Sequence, residues 1–232
     1  MKIALIFDRK IAMQITWVKG SNSWFWIHTK GKNIHIDPAY LRGSISGPEI
    51  VEKADLVLIT HSHGDHFQKK TVDNLTSSAT VIIAPRNVAR KLRATSKVIV
   101  VAPGEEHDLG WAKVKAVNAY NLGLKGHILH KKGKCVGYLL VVDGKTLYHA
   151  GDTEFITEMK QLGQVDLAML PIGGGPTMDA EGAAKAAIAM GAKRVVPMHN
   201  HRKPVEELKT RLEKNPEIQV ILAEPGKPFK PF

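Results

Sequence analysis

Hydrophobic and polar positions divide this chain into short extended runs and a few helical ones. Ala12–Val18, Ser23–His28 and Lys32–Ile36 read as a meander with Gly31-Lys32 as a turn, and Asp37-Pro38 ends it because proline cannot donate to a ladder. Leu56–Thr60 is an apolar run of buried-strand length, and Thr80–Ala84, Lys97–Val101 and Ala112–Ala119 are further strands. Val136–Val142 and Thr146–His149 form a hairpin across Asp143-Gly144, a strong turn signal. Asp166–Leu170, Arg194–Met198 and Ile218–Leu222 complete the strands. Helices are expected from Pro85, as the first helical residue, through Arg93, over Thr153–Leu162 up to Gly163, and over Pro204–Lys214. An alanine-rich helix is expected to be capped by Asp179 and to stop at Gly191. Without a Gly/Ser linker, repeat or low-complexity tract, the pattern predicts one domain over residues 1–232, of mixed α/β (α+β) class. Two sheets pack face to face with helices outside.

Composition narrows the chemistry. With 44% hydrophobic and 24% charged residues among 232, the chain can bury an ordinary core, which excludes wholesale disorder. Its one cysteine, Cys135, excludes a disulfide framework and any multi-cysteine metal site, so a metal here must be held by histidines and carboxylates. No apolar run approaches the roughly 20 residues of a membrane span. The run Met1–Phe7 is closed by Asp8 and Arg9, unlike a signal peptide. A cytoplasmic protein without a membrane partner is expected. The net charge of +11, from 33 Lys+Arg against 22 Asp+Glu, fits a basic solvated surface, an anionic substrate or nucleic acid. Its basic residues clump at Lys69–Lys70, Arg86–Arg93 and Lys125–Lys134, with few aromatics among them, unlike a single-strand binding platform.

Three of the eleven histidines fall within six residues, His61-Ser62-His63-Gly64-Asp65-His66, directly after the apolar strand. In extended backbone His61 and His63 point the same way and can meet on one ion. Gly64 is expected to allow a sharp turn that aims Asp65 and His66 at a neighbouring point. Imidazoles mixed with a carboxylate suit a borderline divalent ion such as zinc, with manganese as the alternative.

This stretch resembles the HxHxDH signature of the metallo-β-lactamase superfamily. Tyr148-His149-Ala150-Gly151-Asp152-Thr153 and Val196-Pro197-Met198-His199-Asn200 resemble two later motifs of that superfamily in the right order, and Ile36-Asp37-Pro38 fits early on. Pro171-Ile172-Gly173-Gly174 and Thr177-Met178-Asp179 resemble its L-ascorbate-6-phosphate-lactonase-like, uncharacterised metal-dependent hydrolase group. The resemblance covers roughly residues 12–223 and implies a four-layer αββα sandwich with two divalent ions at one edge. It places His61 and His63 on metal one, Asp65, His66 and His199 on metal two, and Asp152 as the bridge. His201 competes with His199 for its place.

The sequence departs from that pattern twice. Asn121 stands where many members carry the third ligand of metal one, leaving Asn121 or the nearby His130 as a metal or substrate contact, and Gly20-Ser21 stands where Gly-His is common. Metal one is therefore expected to leave first on chelation. The segment Asn121–Lys134 is expected to act as a lid that brings His130 to the site and offers a lysine rim. The implied activity is hydrolysis by a metal-bound hydroxide of an ester, lactone, amide or phosphoester bond in a small anionic substrate, with Asp65 as ligand and orienter of the nucleophile. A nucleic-acid phosphodiesterase is the alternative, disfavoured because 232 residues leave no room for the appended RNA-holding domain of superfamily ribonucleases. A non-catalytic metal-binding protein is a second alternative, and the sequence leaves open a homo-oligomer.

Overall fold

The computed structural model describes residues 12–41, 52–92, 97–123, 128–201 and 203–232. The run Met1–Phe7 and residues Arg93, Lys125, Gly126 and His127 lie outside them. Strands β1 (Gln14–Trp17), β2 (Phe25–Thr29), β3 (Lys32–Ile36), β4 (Leu56–Leu58), β5 (Val81–Pro85) and β6 (Lys97–Val101) build one sheet. The other holds β7 (Glu106–Asp108), β8 (Ala112–Ala119), β9 (Cys135–Val142), β10 (Lys145–His149), β11 (Leu167–Pro171), β12 (Arg194–Met198) and β13 (Gln219–Val220), while β14 (Pro228–Phe229) returns to the first sheet beside β1.

The apolar run of β4 shows why two packed layers form. Its side chains alternate faces, as in any strand. Leu56 and Leu58 join the core between the sheets with Phe25, Ile34, Tyr138, Leu147 and Met169. Val57 and Ile59 point the other way, into a second core with Val72 and Leu75 of helix α1 (Lys69–Leu75) and Val88 of helix α2 (Arg86–Ala89). Burial on both faces is why this strand reads as continuous apolar sequence rather than alternation. Helix α3 (Ala180–Ala189) and helix α4 (Glu206–Arg211) cover the second sheet, with the small side chains Ala183, Ala186 and Ala187 of α3 buried in its core. Asp179 caps α3 as expected, its carboxylate accepting from the Gly182 amide at 2.9 Å.

Several elements differ from the pattern. Thr153–Leu162 forms only a 3₁₀ helix over Thr157–Gln161. Thr153 and Glu154 are tied to neighbouring loops, since the Glu154 amide and the Thr153 hydroxyl both donate to the Tyr120 carbonyl and the Met178 amide donates to Thr153 O. Pro85 ends β5, paired with Val101, and precedes α2 instead of opening it. The last helix and last predicted strand shrink to Glu206–Arg211 and Gln219–Val220. Helix α1 and the edge strands β7 and β14 went unrecognised; β7 is Glu-His-Asp and carries no apolar signal.

Parallel pairing fixes where the chemistry collects. β3 and β4 run parallel, as do β10, β11 and β12, so Asp37, His61, Asp152 and His199 all follow carboxyl ends of their strands. β9 runs antiparallel to β10, so the segment entering it, with His130, reaches the same rim. The sheets are stitched there: the Val136 amide donates to Thr60 O, the His199 amide to Asn22 O, and the Tyr138 hydroxyl lies within 2.9–3.1 Å of the Ile59 and Ile83 carbonyls. Among the described residues no helix is long and apolar enough to cross a membrane.

Candidate metal centre

The rim gathers two sets of donors that could each hold a metal ion: His61, His63, His130 and Asp152 in one, Asp65, His66 and His199 in the other. In the first, His61 Nε2 lies 3.1 Å from His63 Nδ1, and His130 Nε2 lies 3.2 Å from both His63 Nδ1 and Asp152 Oδ2. In the second, His199 Nε2 lies 3.3 Å from Asp65 Oδ2, and His66 Nε2 lies 3.7 Å from the same oxygen. Asp152 turns its other oxygen here, with Oδ1 at 3.2 Å from His66 Nε2 and 3.4 Å from His199 Nε2. One carboxylate thus faces each cluster with a different oxygen.

The donor set fits divalent ions on its own chemistry. Ligands on a tetrahedral ion with bonds of about 2.0–2.1 Å stand about 3.3–3.4 Å apart, close to these separations. Hydrogen bonding alone does not satisfy them. His63 Nδ1 can donate to only one of the two ring nitrogens beside it, and among the described residues His66 Nε2 and Asp152 Oδ1 are buried without a hydrogen-bond partner.

The outer contacts set which nitrogen faces inward. Buried Asp37 accepts from the Thr60 amide and hydroxyl, both at 2.7 Å, and from His66 Nδ1–H at 2.7 Å. Because the Thr60 hydroxyl donates to Asp37, it accepts from His61 Nδ1–H at 3.0 Å. Asp37 therefore fixes, directly and through Thr60, the tautomer that presents Nε2 of one histidine in each cluster. His130 Nδ1 faces the Pro176 carbonyl at 3.4 Å. Asn22 Nδ2 donates to Asp65 Oδ2 at 2.9 Å.

Electrostatics follow the same geometry. Burial opposes a charge on His66, but Asp152 and Asp37 on either side outweigh it and hold its pKa well above the ordinary value. Burial, reinforced by the charge on His66, pushes His61 well below. Burial alone would raise Asp152, but the charges on His66 and His199 hold it well below the usual carboxylate range. Asp65 is lowered too, against its burial, chiefly through His199 and His66. Backbone is strained at two of these positions: Asp37 and His199 have φ of 51° and 47°. Glycine is required nearby, because a Cβ on Gly173 would lie 2.4 Å from the His199 carbonyl, and one on Gly151 would lie 3.0 Å from Thr60.

The structure brings His61, His63, Asp65, His66, Asp152 and His199 together at one rim, and His130 joins them. Asn121 plays another part. Its Oδ1 accepts from the Leu129 and His130 amides at 3.0 and 2.8 Å, and its own amide donates to His130 O, so it pins the segment that delivers His130. With His130 in place, the first cluster has four donor residues, and the reason for expecting a weaker first ion disappears. Gly64 is not in the left-handed region and a Cβ there would meet nothing, so the turn does not depend on glycine. His201 packs edge-on against His199 and belongs to neither cluster. Lys132 of the expected rim is paired with Glu158 at 2.7 Å. Asn22, Thr60 and Ser23, whose hydroxyl lies 3.0 Å from His66 Nδ1, belong to no motif of the sequence; the nearest signal for Asn22 and Ser23 is the departure at Gly20-Ser21.

Two facing sheets with paired His/Asp clusters at one rim are the architecture of a metallo-β-lactamase-fold protein. The sequence matches the beta-lactamase superfamily domain over residues 14–199. It is 36% identical over 189 residues to a UPF0173 metal-dependent hydrolase of Geobacillus sp., covering 77% of this chain and 82% of that protein. A UPF0173 metal-dependent hydrolase of Bacillus cereus is 37% identical over 191 residues, 78% of this chain and 83% of the other. A solved Parabacteroides distasonis protein assigned to the metal-dependent hydrolases superposes with a TM-score of 0.80 at 34% identity, covering 92% of this chain and 93% of that one. The chain belongs to the beta-lactamase superfamily, as a metal-dependent hydrolase.

Proposed function

We propose that this hydrolase works with two divalent ions, zinc before manganese, one held by His61, His63 and His130, the other by Asp65, His66 and His199, with Asp152 shared. The observation that carries this reading is the split of Asp152, Oδ2 toward the first set and Oδ1 toward the second. Five imidazoles with two carboxylates suit zinc better than a hard, oxygen-loving ion. Such a pair, when bound, acidifies water at neutral pH and polarises a substrate carbonyl or phosphoryl oxygen.

The chain's own residues then have distinct tasks. Asp37, Thr60 and Pro176 hold the inward-facing tautomers. Asp65 is partly exposed, with 31% of its side chain accessible, and Asn22 anchors the same oxygen. That leaves its other oxygen to orient the nucleophile. The bond cleaved is an ester, lactone or phosphoester of a small anionic substrate in the cytoplasm. A non-catalytic role loses its motive once His130 takes the place that Asn121 left open. A nucleic-acid substrate is disfavoured because many lysines are already paired: Lys32 with Asp55, Lys69 with Asp73, Lys113 with Asp108, Lys185 with Glu181 and Lys193 with Asp166.

A screen of aryl esters, lactones and phosphodiesters tests this. Turnover of at least one class is expected, lost on chelation and restored by zinc or manganese. Turnover that survives complete metal removal contradicts it.

A further inference from the structure

A second concave site lies beside the metal centre, and its charge is unbalanced. Arg86, Arg90 and Lys134 line one pocket of about 330 Å³ together with Asn87, Gly133 and Glu105. Among the described residues none of the three cations has a carboxylate partner, and the Glu105 carboxylate accepts from the Ala102 amide at 2.9 Å. Three cations against the one Glu105 carboxylate leave the concavity net positive, a potential that an anion relieves. Two guanidinium groups add planar forks that match the paired oxygens of a carboxylate or phosphate.

The loops that build the pocket also hold metal-site residues. Arg86 and Asn87 follow β5, the neighbour of β4, and Asn87 Nδ2 lies 3.4 Å from the hydroxyl of Ser62, the residue between His61 and His63. Gly133 and Lys134 lie on the short connection from His130 into β9. We propose that this pocket binds a compact oxyanion, a carboxylate or phosphate group, on the part of the substrate that does not react. This rests on the hydrolase reading above and adds the residues that select the substrate. The cations converge on one small pocket, which fits one oxyanion group of a small molecule better than a polynucleotide backbone.

The test is the double variant Arg86→Gln/Arg90→Gln, whose side chains are exposed and outside the metal centre. Substrates are a neutral aryl ester and the same ester bearing a carboxylate or a phosphate. For the charged esters KM should rise about 10-fold at low salt with kcat nearly unchanged. That difference should shrink as salt shortens the screening length to about 8–10 Å. The neutral ester should be unaffected. In parallel, inorganic phosphate titrated into metal-loaded protein should show one binding event in wild type that the variant lacks. If wild type turns over no ester, the substrate reading fails while the phosphate titration still decides the pocket. Equal KM changes for charged and neutral esters, or unchanged phosphate binding, overturn the proposal. Loss confined to salt-sensitive oligonucleotide binding also overturns it, in favour of a nucleic-acid surface.

Discussion

Asp152→Asn is expected to lower kcat/KM by roughly 10³–10⁴-fold, the scale seen when one member of a set that acts as a unit is removed. The asparagine keeps the shape of a side chain that is 4% exposed, so the fold should survive. What it loses is the second anionic oxygen. Asp152 meets His130 with Oδ2 and both His66 and His199 with Oδ1, so an amide can present an oxygen to one cluster only and must turn its NH₂ group toward the other. The bound-metal count should fall below that of wild type, and the far-ultraviolet spectrum should not change. Wild-type turnover in a variant of confirmed mass would show that the two clusters do not act through this residue.

Asp37→Asn is expected to weaken metal binding about 10–100-fold although Asp37 belongs to neither donor set and acts through His66 and Thr60, the scale for removing the partner that orients a metal-binding histidine. The remaining oxygen can still accept from the Thr60 amide, but the new NH₂ replaces an acceptor for the Thr60 hydroxyl and for His66 Nδ1–H. If that NH₂ donates to His66 Nδ1, the ring proton moves to Nε2, the atom that faces Asp65 and Asp152. His61 is disturbed as well, because its Nδ1–H depends on the Thr60 hydroxyl. Asp37→Ala should add a stability loss of about 3–5 kcal/mol by denaturant unfolding, since it removes the carboxylate partner of buried His66, leaving only the Ser23 hydroxyl at 3.0 Å, and the acceptor of the Thr60 amide and hydroxyl. An asparagine variant with wild-type affinity for both ions would remove Asp37 from this role.

What the sequence revealed of the site follows contact distance along the chain. His61, His63, Asp65 and His66 sit within six residues on one strand end, so their convergence is a local property. Asp152 and His199 were legible only through motifs, because parallel pairing of β10, β11 and β12 is what aligns their strand ends. Asp37 was visible as an Asp-Pro stop, but its function comes from the β3–β4 register, where Ile36 pairs with Leu58 and sets Asp37 beside Thr60. Asn121 stood at the expected ligand position, and only the path of the chain shows its oxygen turned to the His130 amide. The same logic governs the elements. Strands buried on both faces announce themselves, whereas β7 is held by pairing to β8 and the 3₁₀ helix is shortened by loop hydrogen bonds that no local pattern encodes.

Anomalous diffraction from crystals of the protein saturated with zinc tests the central claim most directly. The account predicts two peaks per chain, one contacting His61, His63, His130 and Asp152, the other contacting Asp65, His66, His199 and Asp152. A single peak at saturation, or two peaks with Asp152 touching only one of them, would contradict it.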